Sequence, residues 1–369
     1  MNILQICSIY YGNNLFKRMF ESMAQQGIKS IVYVPKWSAD KPDEDVYIVS
    51  KRHTKLDKFL FWGEQKYILK DIENRIALSN IDCVYAHRLL YGGDAALKLY
   101  SKYKIPYIVF VRNSDVYGFG RNIYRFRKHS KEVMSQAHKV LFFSKCYQDK
   151  VLKLYENDEF YHTLKEKSEV IVSGVNNFFI NNTLGKGCHK LPEHGQLQLI
   201  SIGWIDRNKN LPTLLSACKL LIKRGYEVKL RLLGKVVNKN IFNKAISYDF
   251  VEYMGFRPQE EVADLIRNSD VFVLPSIHES FGLVYAESMT QGTPIIYTRG
   301  QGFDGQYADG EVGYSVDCFN AEEIANRIID ITQDYRNISD RCVTYPARYD
   351  WFTIVKRYQE IFDECVSGK

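Results

Sequence analysis

No apolar run in this chain of 369 residues approaches the roughly 20 residues a spanning helix needs, so no segment reads as a membrane span. Residues 1–11 lack both a basic leader and a small-residue cleavage site, which points to the cytoplasm. The eight cysteines, from Cys7 to Cys365, form no C-x-x-C pair and show no metal-ligand spacing, which favours reduced core thiols over disulfides or zinc. Neither a short repeat nor a low-complexity tract interrupts the chain. The D-x-D lookalike, Asp43-Glu44-Asp45, follows Pro42 in a stretch that reads as a solvated surface loop rather than a metal site.

The composition is that of a globular protein: 46% hydrophobic and 25% charged residues, with 26 Tyr and 21 Phe, support a sizeable core. At this length the chain exceeds one ordinary core and predicts two domains. Charge divides between them. Residues 1–180 hold 28 Lys and Arg against 19 Asp and Glu, whereas residues 181–369 hold 22 against 24. Two clusters concentrate the basic excess. Lys51, Arg52, His53, Lys55 and Lys58 run into Phe59, Leu60, Phe61 and Trp62; Arg121, Tyr124, Arg125, Phe126, Arg127, Lys128 and Lys131 interleave cations with rings. They read equally as a solvated face or as peripheral contact with an anionic membrane. No nucleic-acid reading motif accompanies the charge, so nucleic acid is not an expected partner.

Short apolar runs alternate with amphipathic stretches, at 3–9, 30–34, 46–50, 83–86, 107–111, 140–143 and 170–172. A second series follows at 197–202, 228–233, 250–254, 271–274, 294–297 and 313–316. This is the rhythm of parallel sheets. Residues 181–196, with Gly185, Gly187, Pro192 and Gly195, lack periodicity and read as a linker. The predicted class is α/β: two Rossmann-like, doubly wound domains at 1–180 and 197–349 facing a cleft.

Chemistry concentrates in the second series. Residues 278–287 read His-Glu-Ser-Phe-Gly-Leu-Val-Tyr-Ala-Glu, directly after a buried-strand pattern. The pattern predicts a loop over 276–280 and a helix over 281–291. Glu279 would then stand at a strand's carboxyl end and Glu287 one helical turn beyond it. Backbone N–H groups of Phe281, Gly282 and Leu283, with Ser280 beside them, would suit a phosphate at the helix start. Upstream, Gly203 opens a loop carrying Arg207 and Lys209 after that series' first strand. Two cations there suit a diphosphate whose charge grows as it departs. Gly300-Gln301-Gly302-Phe303-Asp304, after a later strand, reads as a further pocket wall or an ordinary loop, with no catalytic role.

These features resemble the GT-B glycosyltransferases, and specifically the retaining family 4, whose donor-site signature is E-x7-E; Glu279 and Glu287 occupy its ends. The resemblance runs from Asn2-Ile3-Leu4 through Gly12, Ser144, Gly174-Val175, Gly203, Lys209, Gly234 and Gly255 to Arg348-Tyr349-Asp350-Trp351-Phe352. It implies transfer of a sugar from a nucleotide-sugar donor, a UDP-sugar by family frequency, to a glycan or lipid-linked acceptor of a bacterial surface polysaccharide such as lipopolysaccharide O-antigen or capsule. It further implies that Glu287 binds ribose hydroxyls, Glu279 contacts the sugar and Lys209 holds the diphosphate. Residues 281–283 would offer backbone to sugar or phosphate, no metal cofactor would be required, and a last helix over 350–369 would complete the first domain.

The chain departs from that family in three places. Trp204 follows Gly203 where Arg is common, leaving Arg207 to substitute. Arg112, in the run Pro106 to Asp115, stands where the acceptor-side strand commonly ends in His; it either grips an anion or pairs with Asp115. Gly12 is the lone glycine of a loop often richer in them. His87, after another strand, is an acceptor-side candidate or a packing histidine. Glu279 is either a nucleophile or a positioning carboxylate. Two other activities fit the same residues: a sugar-nucleotide epimerase of this fold, and a non-catalytic nucleotide-sugar-binding module at the membrane.

Overall fold

A computed structural model of the chain describes residues 1–10, 14–35, 47–49, 61–117, 123–189 and 195–368. They form two compact units. The first comprises residues 1–143, 147–172 and 351–369, and the second residues 144–146 and 173–350.

The first unit is built on seven strands, Asn2–Ile6 (β1), Lys29–Val34 (β2), Tyr47–Val49 (β3), Cys83–Ala86 (β4), Tyr107–Val111 (β5), Lys139–Phe142 (β6) and Ser168–Val170 (β7). All pair in parallel, in the order β3-β2-β1-β4-β5-β6-β7. Crossover helices cover both faces of such a sheet, so its strands are apolar throughout; all five residues of β5 are buried. Alternate residues feed two cores. Leu4, Ile6, Val84, Ala86, Val109 and Val111 serve one, and Ile3, Cys7, Cys83, Tyr85, Ile108 and Phe110 the other.

The second of these cores is closed by the chain's last helix, Trp351–Ser367, which buries Trp351, Ile354, Val355, Tyr358, Ile361, Phe362 and Cys365 at helical spacing. Tyr85 Oη donates to Tyr358 Oη at 3.2 Å, and Arg357 grips Glu169 through two bonds of 2.6 and 2.8 Å. The last residues of the chain are thereby part of its first unit.

The second unit holds Gln196–Ile202 (β8), Glu227–Leu233 (β9), Val251–Gly255 (β10), Val271–Val273 (β11), Ile295–Thr298 (β12) and Gly313–Val316 (β13), again parallel, in the order β10-β9-β8-β11-β12-β13. Residues 181–189, expected in a linker, pack within this unit. Leu184 N donates to Thr290 O at 2.8 Å, and Gly187 N to the Asp340 carboxylate at 2.6 Å. The preceding helix, Asn177–Asn181, is capped by the Asn176 side chain and is too short to show a 3.6-residue period in the sequence.

In each sheet the strand order reverses beside the unit's first strand, between β1 and β4 and between β8 and β11. The loops leaving those strands diverge to opposite faces and leave a crevice at the carboxyl edge, where open α/β sheets take ligands.

Candidate active site

Gly203 ends β8 with no room for a side chain nearby. A Cβ at Gly234, which ends β9, would fall 2.0 Å from Gly203 O, so the two strand ends touch backbone to backbone. A Cβ at Gly203 itself would meet Lys209 Cε at 3.1 Å. Glycine at 203 therefore lets the 203–210 loop fold back with the Lys209 stem over the sheet edge. The loop is then fixed from within. Asp206 Oδ1 accepts Lys209 N at 3.0 Å, and Asn210, at φ +51°, donates to Cys318 O at 2.5 Å.

The loop after β11 is stapled to this one. Asn208 Nδ2 donates to His278 O at 2.9 Å, Asn208 Oδ1 accepts His278 N at 3.0 Å, and Asn208 O accepts Ile277 N at 2.7 Å. One asparagine thus bonds the second loop as a neighbouring strand would. Across the staple Lys209 Nζ lies 2.7 Å from Glu279 Oε2, with both side chains mostly buried. The loop after β12 adds a third side. Gln301 Oε1 accepts Glu279 N at 3.1 Å, and Gly302 N donates to Glu279 O at 3.0 Å. A Cβ at Gly302 would stand 2.0 Å from Ser280 O.

The helix expected over 281–291 is Leu283–Thr290. Gly282 precedes it at φ +80°, and a left-handed residue cannot continue a right-handed helix, so Phe281 stays outside. The Phe281 ring is buried edge-on to Phe303 and Tyr349 and belongs to the core. A donor contact from Phe281 is left to its backbone. The N–H groups of Leu283 and Val284, in the first turn, have no acceptor inside the helix. Beneath them Tyr285 Oη donates to Leu274 O at 2.7 Å and anchors the turn. Glu287 is half-buried one turn on, while Ser280 and Arg207 are exposed. Arg207 makes no ion pair among the described residues, and Trp204 beside it is 64% exposed.

In the first unit, Gly12 and the basic cluster 51–60 lie outside the described residues. His87 is fully buried: its Nε2 bonds Gln5 Oε1 at 2.9 Å, and Tyr85, Phe16 and Phe20 surround the ring. Burial, aided by the charge of Arg112, holds its pKa well below the ordinary value. It packs as a neutral core histidine. Asp115 is buried too and accepts Arg112 N at 3.0 Å and Leu89 N at 3.2 Å, with Arg88 Nη2 at 3.4 Å. An ion pair between the Arg112 side chain and Asp115 is therefore not what the structure holds; the carboxylate joins the two loops through backbone N–H groups and takes its charge from Arg88.

Residues 189–347 match the family described as Glycosyl transferases group 1, spanning the site assembled by Lys209, Glu279 and the Leu283–Thr290 helix. The second unit belongs to that family. The chain is therefore a glycosyltransferase, and its relatives agree. An uncharacterized glycosyltransferase of Methanocaldococcus jannaschii is 23% identical over 297 residues, 79% of this chain and 78% of that one. A capsular polysaccharide biosynthesis glycosyltransferase, CapM of Staphylococcus aureus, is 27% identical over 157 residues, 42% of this chain and 41% of its own length. Among solved structures, Anabaena HepE in complex with UDP and glucose superposes with a TM-score of 0.68 at 16% identity, covering 98% of this chain and 99% of that one, which shows a common GT-B fold.

Two residues of the glycosyltransferase site have positioning roles that the sequence did not assign, although the 300–304 loop reads as a further pocket wall or an ordinary loop. Asn208 bonds His278 from a loop 70 residues away and Gln301 bonds Glu279 N from 22 residues away; together they position Glu279. Gln301 stood between two glycines, a signal of close backbone approach, while Asn208 carried none beyond its place in a polar loop. No group of three or more His, Cys, Asp or Glu suited to a metal ion occurs among the described residues.

Proposed function

We propose that this glycosyltransferase moves a sugar, with retention, from a nucleoside diphosphate donor, UDP before others, to a glycan or lipid-linked acceptor of a cell-surface polysaccharide. The observation that carries the proposal is the Lys209–Glu279 pair at 2.7 Å, held at the β8/β11 crevice beside the open first turn of the Leu283–Thr290 helix. The Lys209 ammonium and the N–H groups of that turn take the diphosphate as the anomeric C–O bond breaks. Arg207 adds charge at the loop's rim, and Glu287 accepts from the ribose. Glu279 supports the cationic sugar as the acceptor oxygen bonds the anomeric carbon from the leaving group's face, its proton passing to a donor phosphate oxygen. Positive charge from the protein replaces a metal in this scheme. UDP follows the ligand named for HepE, and the surface polysaccharide follows the name of CapM.

The test is a thermal melt with UDP, GDP and ADP. UDP at about 100 times its dissociation constant should add roughly 2.7 kcal/mol to the native state. At the same UDP concentration the gain should shrink to roughly 0.4–1.4 kcal/mol in Lys209→Ala, as a 10- to 100-fold loss of affinity requires; no shift with any nucleotide would remove the donor assignment. Placement at the inner face of the cytoplasmic membrane belongs to the same reading. Tyr124, Arg125, Arg127 and Lys128 are exposed; Arg127 also donates to Leu154 O, and Lys131 pairs with Asp158. Flotation with anionic vesicles should weaken with salt and with Arg125→Glu and Lys128→Glu.

A further inference from the structure

One face of β4 meets the chain's last helix at two points. Tyr85 bonds Tyr358; two residues back along the strand Cys83 meets Cys365, seven residues further along the helix. Alternation along a strand and two turns of a helix put both contacts on one face of each element, so the cysteine pairing follows from their register. The Cys83 and Cys365 sulfurs lie 3.2 Å apart in a core that leaves the two residues 0% and 2% exposed. Both are free thiols. About 1 Å of approach separates this contact from an S–S bond of about 2.05 Å.

The two thiols differ in access. Cys83 opens β4, where it pairs with Ile3 of β1, and burial and the neighbouring Cys365 hold its thiol well above the ordinary value. Cys365 is the buried residue of the helix's last turn, with Asp363, Val366 and Ser367 exposed around it. The last carbonyls of that turn have no acceptor role inside the helix. Beside Cys365, Glu364 holds the turn through Lys139 at 3.5 Å and Arg357 at 3.3 Å, part-exposed ion pairs that water and salt weaken. A local opening of this turn admits a small oxidant to Cys365 before Cys83.

We propose that Cys83 and Cys365 form a modification site, at which a two-electron oxidant of the peroxide class joins them in a disulfide that fastens the last helix to the sheet. The Cys365 thiolate attacks one peroxide oxygen; an S–O bond forms, the O–O bond breaks, and the departing hydroxide takes up a proton as water. As the turn closes, Cys83 gives up its proton and its sulfur displaces the hydroxyl of the Cys365 sulfenic acid, which leaves as a second water. Two thiols are oxidised by two electrons and one peroxide is reduced to two waters. The ring so closed runs from residue 83 to residue 365 and contains the whole second unit. Such a long ring restricts the unfolded chain and so raises stability.

The test treats the folded, full chain with hydrogen peroxide until the exposed Cys188 no longer alkylates, then denatures it in iodoacetamide and maps its peptides by mass. The expected result is a Cys83–Cys365 peptide pair lighter by two hydrogens than its reduced parts and released by dithiothreitol. Oxidation should also raise the thermal midpoint by about 3–10 °C in the parent, and in neither Cys83→Ala nor Cys365→Ala. Should a variant fail to fold, the peptide map of the parent decides. Cys83 and Cys365 both still open to alkylation once Cys188 has reacted, or either one joined to a different cysteine, would overturn the site. A cross-link that leaves the midpoint unmoved would overturn its fastening role.

Discussion

Lys209 and Glu279 neutralise each other without ligand, so a donor diphosphate must share the ammonium with a carboxylate that repels it. Removing either partner should separate binding from turnover. Lys209→Met forfeits a charge-assisted contact of about 1.5–3 kcal/mol, so UDP affinity should fall roughly 10- to 100-fold. Glu279→Gln should hold or tighten UDP by calorimetry while transfer drops by about 100-fold or more. Weaker UDP binding in Glu279→Gln would mean that the carboxylate orders the loop rather than serves the sugar. His87 gives a second test at this scale. Its folded pKa is depressed, so the unfolded chain binds more protons near and below the free value of about 6.5. Stability is complete above that value and declines as pH falls below it, and the buried fraction of His138 adds to the trend. The thermal midpoint should therefore drop from about pH 7 to about pH 5, with a shallower decline in His87→Asn. The places of Lys209 and Glu279 on loops after strands, and of Glu287 on the helix that follows, were legible in the sequence because each sits at a fixed offset from a strand or helix end. His87 and Asp115 were not resolved from it, because a polar residue after a strand reads alike whether it faces a crevice or bonds a neighbouring loop.

Among elements, strands were the most legible, since a two-sided parallel sheet makes each strand a nearly unbroken apolar run. Helix starts were less so. The Leu283–Thr290 helix begins two residues later than the pattern 281–291 suggests, because Gly282 is left-handed and Phe281 is spent on the core. That glycine also has no room for substitution: a Cβ would approach the Tyr285 ring to 2.3 Å. Gly282→Ala should cost about 1–3 kcal/mol and, by displacing the first turn, weaken UDP as well. A variant destabilised but unchanged in nucleotide affinity would show that the turn does not touch the phosphates. The Asn208 staple makes the complementary case. Asn208→Ala removes two hydrogen bonds between loops, at about 1–3 kcal/mol, and frees Glu279 from its register with Lys209. Turnover should fall more than UDP affinity, because the lysine remains while the carboxylate loses its place.

At the scale of the whole molecule, the chain's last helix serves its first unit, an arrangement that periodicity alone did not reveal and that family resemblance anticipated. The helix places seven residues in the core against β4 and the Leu15–Gln25 helix, and its Arg357 grips Glu169 from just before the chain enters the second unit. Truncating Phe362, fully buried in that core, should cost about 3–5 kcal/mol through lost contacts and a cavity. The loss should be local. Hydrogen exchange in Phe362→Ala should quicken for amides of β1, β2 and β4, which line that core, while amides of the β8–β9 ladder keep their protection. UDP should give the converse pattern, slowing exchange at residues 203–210 and 283–287 without restoring β1 or β4, because a ligand stabilises only what unfolds with its own site. Uniform quickening across β1, β4, β8 and β9 would instead mean that both units open as one, and the last helix would then set the stability of the donor site as well.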